Sequence, residues 1–595
     1  NKGLAGVSQH YAFDNYWPGS TETCIWKNVI GFLTECASAK YASPVYVEHN
    51  ELSVWGKGLS EYKKSINMPL PWKGGWWRLS DIMDYEVTST MSIIKTCSNH
   101  KEEILRFRNN LCQEEVKRGK TQAPYYYIFP KEQHDESELV DLVNLLEQHG
   151  VKRYKLTKNV RIQSKEFKPG DIVIPLAQPF RPFVKEVLES QNYPVRHYTP
   201  GGKIIKPYDI TSWSLPLHKG VESYEIDTRS EMLESSLQKI QGHYRINHKA
   251  DKQEYKGMFL PYSNNQSYKV AFWAKKKGLD VFYTDQAVNT EEESFSSGGM
   301  IIPEPRKEKL KEELSAMIKT RPRYLSTLED VQKSKMEIPK VALIESYLHD
   351  MDAGWTRYLF DSYYLPFEVI HPGEVQDADL SDFDVVVFPN THKSVLMKGE
   401  YETDKYYRMS NYPPEYVKGM GKKGKKKVME YLDNGGKIIS WGQSAKLFMG
   451  KQTIGDEDNE EQFKLPIEDV SDELKEKGLY CPGTLINMDV ENDIQFTKGM
   501  PDQVGVFYRG DPVFETSIPI FDMNRRVLGS FTKEKTLLSG YAQNADLLEE
   551  EPAMVWLKKG KGEMVLFSFG PQFRAAVPSN YKLIFNSILF DRKKQ

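Results

Sequence analysis

The chain has few cysteines and no long apolar run. Its five thiols are Cys24, Cys36, Cys97, Cys112 and Cys481. The number is odd and no two form a Cys-x-x-Cys pair, which excludes a disulfide framework and a zinc-finger pattern. No apolar stretch approaches the ~18–20 residues that span a bilayer as a helix. An excess of one charge is missing too: 80 Lys and Arg stand against 83 Asp and Glu, for a formal net charge of -3. That balance calls for neither nucleic acid nor an anionic membrane as partner. No signal peptide opens the sequence at Asn1. The start falls a few residues before what reads as an interior loop, so the first part of the native protein, with any export signal, is expected outside these residues.

The length of 595 residues predicts about three or four domains. Aromatic residues make up 12% of the chain, with 34 Tyr and 11 Trp. They point to large packed surfaces or to a cleft facing carbohydrate or peptide, and leave that choice open.

Glu35 is the most informative residue. It closes the apolar run Val29-Ile30-Gly31-Phe32-Leu33-Thr34. A run this short and apolar predicts a buried strand. A carboxylate at the end of such a strand is costly to desolvate, so it needs a partner or a chemical role. Upstream stands the loop Trp17-Pro18-Gly19-Ser20-Thr21-Glu22. Downstream, Ile82, Met83, Tyr85, Val87, Met91 and Ile94 recur at helical spacing. Residues 1–112 therefore read as one block, and the polar segment 113–123 reads as a linker.

Residues 124–330 carry an internal repeat. A spacing of 128 residues separates Gly150 from Gly278, Gly170 from Gly298 and Pro175 from Pro303. Each copy reads as strand, helix, glycine cap, strand, turn, strand, which predicts two α/β halves packed together. In residues 336–595, Val341-Ala342-Leu343-Ile344, Phe367-Glu368-Val369-Ile370, Val385-Val386-Val387-Phe388 and Lys437-Ile438-Ile439-Ser440 read as strands alternating with helical segments. That alternation predicts a doubly wound parallel sheet.

Three motifs in this last block are weaker. His371-Pro372-Gly373-Glu374 has His-x-x-Glu spacing, but its nearest downstream His, His392, is too close for a metal site, and a strand-to-loop turn is the alternative. Gly419-Met420-Gly421-Lys422-Lys423-Gly424 matches GxGxxG without a preceding strand, so it reads as a helix N-terminus. His349, Asp350 and Asp352 follow the first strand, on the side where open α/β sheets bind ligands.

The segments Phe13–Thr21, Thr34-Glu35, Trp72-Lys73-Gly74-Gly75-Trp76-Trp77-Arg78, Ala177-Gln178-Pro179-Phe180-Arg181, Met351-Asp352-Ala353-Gly354-Trp355-Thr356-Arg357 and Pro413-Pro414-Glu415-Tyr416, in this order, resemble a bacterial multidomain subfamily of carboxypeptidase A-like zinc peptidases. The resemblance implies an α/β protein in three parts. These are the C-terminal portion of a carboxypeptidase-like catalytic domain (1–112), a tandem α/β repeat region (124–330) and a class I glutamine amidotransferase-like domain (336–595). It implies a secreted or periplasmic metallopeptidase acting on a peptide or protein substrate. Glu35 would be the general base on a zinc-bound water, and Tyr16, Ser20 and Thr21 would line the substrate pocket. The family's zinc ligands precede the Gly-Ser loop. Here only His10 does so, and the ligands are expected outside this chain, in the missing N-terminal segment or a separate chain. The amidotransferase-like part departs from its pattern. Ser440-Trp441-Gly442-Gln443-Ser444 stands where a Cys nucleophile belongs, and no His follows His392, so this domain is expected to be non-catalytic. The alternative reading is a non-catalytic scaffold that binds peptides or glycans through its aromatic surfaces.

Overall fold

The structure is a computed structural model. It describes residues 3–9, 20–31, 33–39, 42–54, 61–197, 199–246, 255–290, 294–295, 298–348, 350–401, 412–455 and 460–591. Contacts divide the chain into two units, one of 1–125, 175–186 and 193–209, the other of 126–174, 187–192 and 210–595. No helix among the described residues is long and apolar enough to cross a membrane.

The first unit holds the helices Ser20–Trp26, Leu79–Asn99 and Lys101–Thr121. Its two-stranded antiparallel sheet pairs Val45–Val47 with Gly75–Trp77. Two expectations are corrected here. Among the described residues of the run, 29–31 and 33–35, no strand forms: Ile30 and Leu33 are exposed, and Glu35 lies on the surface outside regular structure. A strand needs partners for its backbone N–H and C=O groups, and in the only described sheet of this unit Val45–Val47 and Gly75–Trp77 pair with each other. The segment 113–123 is no linker, because the helix runs through to Thr121. Its polar residues are Glu, Gln, Lys and Arg, which are good helix formers. Glu102 and Glu103 sit in the first turn and Arg118 and Lys120 in the last, as the helix dipole favours. Gly119 is buried where a Cβ would stand 2.1 Å from the Leu176 carbonyl oxygen.

The second unit contains two five-stranded sheets with matching order. In one the strands run Tyr224–Ile226, Tyr126–Phe129, Ile172–Pro175, Tyr154–Leu156, Leu237–Lys239. In the other they run Arg323–Leu325, Gly257–Pro261, Gly299–Pro303, Phe282–Thr284, Ser334–Lys335. Tyr154 pairs with Val173 in the first and Phe282 with Ile301 in the second. The flanking hairpins pair Val160 with Phe167 and Val288 with Phe295.

The remainder is built on a ten-stranded sheet. Glu368–Ile370, Val341–Ile344, Val385–Phe388, Lys437–Trp441 and Gly562–Phe567 lie side by side and parallel. Beyond them the sheet continues antiparallel through Pro552–Lys559, Asn524–Phe531, Thr484–Val490 and Gln503–Tyr508. Successive side chains of the parallel strands point to opposite faces. Leu343, Val387, Ile439 and Val565 enter one core with Leu359 and Phe360 of the helix Met351–Ser362. Ala342, Val386, Ile438 and Met564 enter another with Val428, Met429 and Leu432 of the helix Gly421–Asp433. Helices thus cover both faces of the parallel part.

Candidate functional site

The residues singled out in the first unit are not brought together by anything described. Glu35 is exposed. Tyr16 and His10 lie outside the described residues, and Ser20 and Thr21 open the helix Ser20–Trp26 with side chains outside the description. Among the described residues no group of three or more His, Cys, Asp or Glu could hold a metal ion. The described donor set therefore does not fit a catalytic zinc, which takes three protein ligands and an open position.

The Trp72–Arg78 segment instead builds an aromatic cluster. Trp77 meets Trp72 and Tyr85 edge-on, at 5.7 and 5.3 Å between ring centroids, and its indole N–H donates to the Ala37 carbonyl over 2.8 Å. Tyr46 meets Trp76 edge-on at 5.5 Å, with the Arg78 guanidinium 5.1 Å from the Trp76 ring. Tyr46 and Trp76 are each 52% exposed. The Ala177–Arg181 segment packs inside the same unit: Asn28 Nδ2 donates to the Pro179 carbonyl at 2.7 Å, and Arg181 lies 3.7 Å from the Glu115 carboxylate.

In the second unit the carboxyl ends of the parallel strands gather polar groups. Asp352 accepts from the Asn390 N–H at 3.0 Å, the Trp441 indole N–H at 2.5 Å and Gln572 Nε2 at 2.9 Å. Burial nevertheless pushes its carboxyl up to about 6. Asp350, also pushed up to about 6 by burial, caps the helix Met351–Ser362 through the Ala353 N–H and accepts from the Ser346 N–H. His349 lies outside the described residues.

At the end of Lys437–Trp441 the chain turns sharply through Gly442, at φ +60°, where a Cβ would collide with Asn390. The following Ser444 is buried and donates its hydroxyl proton to the Pro389 carbonyl at 2.5 Å while accepting from the Thr391 N–H. Its described partners are backbone groups of Pro389 and Thr391, and a hydroxyl without a base beside it is not an activated nucleophile.

The two remaining motifs resolve structurally. Gly419 packs against the Met397–Lys398 backbone and Gly421 opens the helix Gly421–Asp433, and the described residues 412–420 before it hold no strand. In His371–Glu374 the Glu374 carboxylate accepts the His371 backbone N–H at 2.9 Å, and the imidazole Nδ1 lies 2.7 Å from the Glu345 carbonyl. Both side chains serve a turn rather than a shared metal.

That turn borders a cavity of about 430 Å³ at the carboxyl ends of Val341–Ile344 and Glu368–Ile370. Tyr347, His371 and Tyr416 line it in a ring stack, with centroids 3.8 Å from Tyr347 to His371 and 4.3 Å from Tyr347 to Tyr416. Sequence reasoning missed this cavity, because its three rings come from three separate segments and no spacing links them.

No protein-family model matches the chain, and no curated protein does either. Among solved structures, a ThuA-like protein from Bacteroides uniformis is 10% identical over 43% of this chain and 92% of its own, with a TM-score of 0.25. A GMP synthase protein from Thermoplasma acidophilum is 10% identical over 42% of this chain and 93% of its own, at 0.23. The β-galactosidase from Bacillus circulans is 13% identical over 47% of this chain and 34% of its own, also at 0.23. These three overlaps each span less than half of this chain.

Proposed function

We propose that residues 1–112 are the C-terminal portion of a zinc carboxypeptidase-like catalytic domain, part of a secreted or periplasmic metallopeptidase acting on a peptide or protein substrate. In this reading Glu35 moves the proton, Tyr16, Ser20 and Thr21 line the substrate pocket, and the zinc ligands lie outside the 595 residues.

One observation carries the proposal. Met83, Val87, Met91 and Ile94 fall on one face of the helix Leu79–Asn99, and each is more than half exposed. Apolar residues at this spacing form the core-facing stripe of an amphipathic helix. Ile30, Leu33, Leu105 and Phe107 of the same unit are also more than half exposed. So much apolar surface asks for a covering layer, and in this reading the layer is the rest of the catalytic domain.

Residues 124–330 are, in the same proposal, a tandem pair of α/β halves. The matching strand orders and the 128-residue offset between their registers support this. Residues 336–595 are a class I glutamine amidotransferase-like domain without that chemistry. The parallel strands and the sharp turn at Gly442 support the fold, and the absence of a Cys at the turn and of any His beyond His392 supports the loss of chemistry.

The test is peptide hydrolysis by the intact natural protein, with and without a chelator. Chelator-sensitive release of C-terminal residues is expected. Hydrolysis of no peptide would favour a second reading, a non-catalytic scaffold binding peptides or glycans, for which the exposed Tyr46–Trp76 pair is the supporting observation.

A further inference from the structure

The cavity beside Tyr347 lies in the second unit and does not involve Glu35. Its volume of about 430 Å³ falls within the range of small-molecule sites, roughly 300–1,000 Å³. It lies at the carboxyl ends of the two strands Val341–Ile344 and Glu368–Ile370, the end at which open α/β sheets bind ligands.

Two features define its chemistry. The first is aromatic. Tyr347 stacks on His371 with 22° between the planes and on Tyr416 with 29°. Two rings this close cannot share one face, so Tyr347 is held between them. Tyr347 remains 45% exposed and Tyr416 40% exposed, so both rings present surface to a ligand. With the imidazole Nδ1 directed at the Glu345 carbonyl, Nε2 is the ring nitrogen left for a ligand.

The second feature is charge. Glu374, Asp377 and Glu415 line the cavity, and among its described lining residues Lys418 is the one Lys or Arg. The Tyr347 phenol is held above its ordinary value, first by what burial it has and then by Glu374, Tyr416, Glu415 and Glu345. The rings therefore sit in a negative field. Asp377 is paired with the Lys423 ammonium at 3.5 Å, which leaves Glu374 and Glu415 beside the rings. A cation gains from both the aromatic quadrupole and these carboxylates.

We propose that this cavity is a binding site for a ligand bearing a guanidinium or primary ammonium group, of the size of a single basic amino-acid residue, held against Tyr416 and Tyr347 with Glu415 as counter-charge.

Calorimetric titration of the full chain tests this, with arginine amide and lysine amide as cationic probes, citrulline amide as the neutral isostere of the first, and methyl glucoside as a neutral ring-stacking probe. Binding of at least one cationic probe is expected, at least tenfold tighter than citrulline amide and weakened by added salt. Glu415→Gln and Tyr416→Ala should each weaken it fivefold or more. Both residues are exposed, so neither variant endangers the fold; circular dichroism checks this. Citrulline amide or methyl glucoside binding as tightly as the cations would overturn the proposal. So would cation binding that survives both variants, or no binding of either cation at millimolar concentration.

Discussion

The backbone N–H of Asn265 donates to Asp135 Oδ2 over 2.8 Å. Asp135 is the N-cap of the helix Glu136–Gln148, and Asn265 opens the helix Asn265–Lys276. The reverse bond is also made, from the Glu136 N–H to Asn264 Oδ1 at 3.0 Å. The first N–H of each helix is thus satisfied by the other's cap region, which pairs one of the orphan donors at each terminus.

Lys582 completes this junction, and its loss should be costly. Its Nζ lies 3.0 Å from Asp135 Oδ2 and 3.3 Å from Asn265 Oδ1, and Lys582 and Asp135 are 2% and 3% exposed. Burial alone would raise the Asp135 carboxyl, yet the Lys582 charge and the hydrogen bonds from Ser137 and Asn265 hold it below its ordinary value. Lys582→Met leaves a buried carboxylate uncompensated and should cost about 3–5 kcal/mol. Adding Asp135→Asn should recover part of that loss. Urea unfolding of both variants measures the difference; equal stability of Lys582→Met and wild type would refute the role.

Acid should weaken the second unit through His218. Its ring is 4% exposed, 3.0 Å from Ser212 Oγ and 3.2 Å from the Ala576 carbonyl. Burial pushes it down to about 4. Its contribution is present above the unfolded value near 6.5 and is lost as pH falls toward the folded value, since only the unfolded chain takes up the proton in that window. The loss approaches about 3 kcal/mol by pH 4. Asp350 and Asp352, raised to about 6, act with opposite sign between roughly pH 4 and 6, but they do so equally in wild type and in His218→Gln. The stability difference between these two proteins should therefore shrink or invert from pH 7 to pH 4.5. A constant difference would exclude the buried neutral imidazole.

Gly119→Ala sets helix propensity against packing. Alanine favours a helix interior by about 1 kcal/mol over glycine. The new Cβ, however, would stand 2.1 Å from the Leu176 carbonyl oxygen and 2.6 Å from Ala177 Cα, both backbone atoms. Overpacking of this kind costs about 1–3 kcal/mol. The clash should win, and thermal unfolding should show a lower Tm. A raised Tm would mean that the two segments part without cost.

How much of this was legible follows local signal strength. The strands Val341–Ile344, Val385–Phe388 and Lys437–Trp441 announce themselves as β-branched apolar runs, and the helix Leu79–Asn99 as a 3.6-residue pattern. The run ending at Glu35 is as apolar as those strands, yet its described residues pair with no described strand, which composition cannot reveal. Residues 113–123 read as a linker because a largely solvent-facing helix and a loop share their polar residues. The Tyr347–His371–Tyr416 stack was invisible because it exists only once three loops meet at one sheet end.

Glu35→Gln separates a catalytic from a structural carboxylate in the intact natural protein. Because Glu35 is exposed and outside regular structure, the substitution should leave the fold unchanged. If Glu35 moves the proton, turnover on a peptide substrate should fall roughly 10²–10⁴-fold at unchanged metal content. Unchanged turnover would remove that role.

The exposed stripe on the helix Leu79–Asn99 gives the last prediction. Met83 is 60% exposed, Val87 59%, Met91 58% and Ile94 55%. Replacing Val87 and Met91 by Gln in the 595-residue chain should alter its stability by no more than about 0.5 kcal/mol per site, as at other surface positions. If a further part of the catalytic domain covers this face, the same side chains are buried there, and burying each contributes about 1.5–3 kcal/mol. The double variant of the intact natural protein should then lose several kcal/mol of stability, and peptide hydrolysis should fall with it. Unfolding of both forms, side by side, measures the contrast. Equal and small effects in the two would show that nothing covers the stripe, and the scaffold reading would then account better for a helix whose apolar face stays in water.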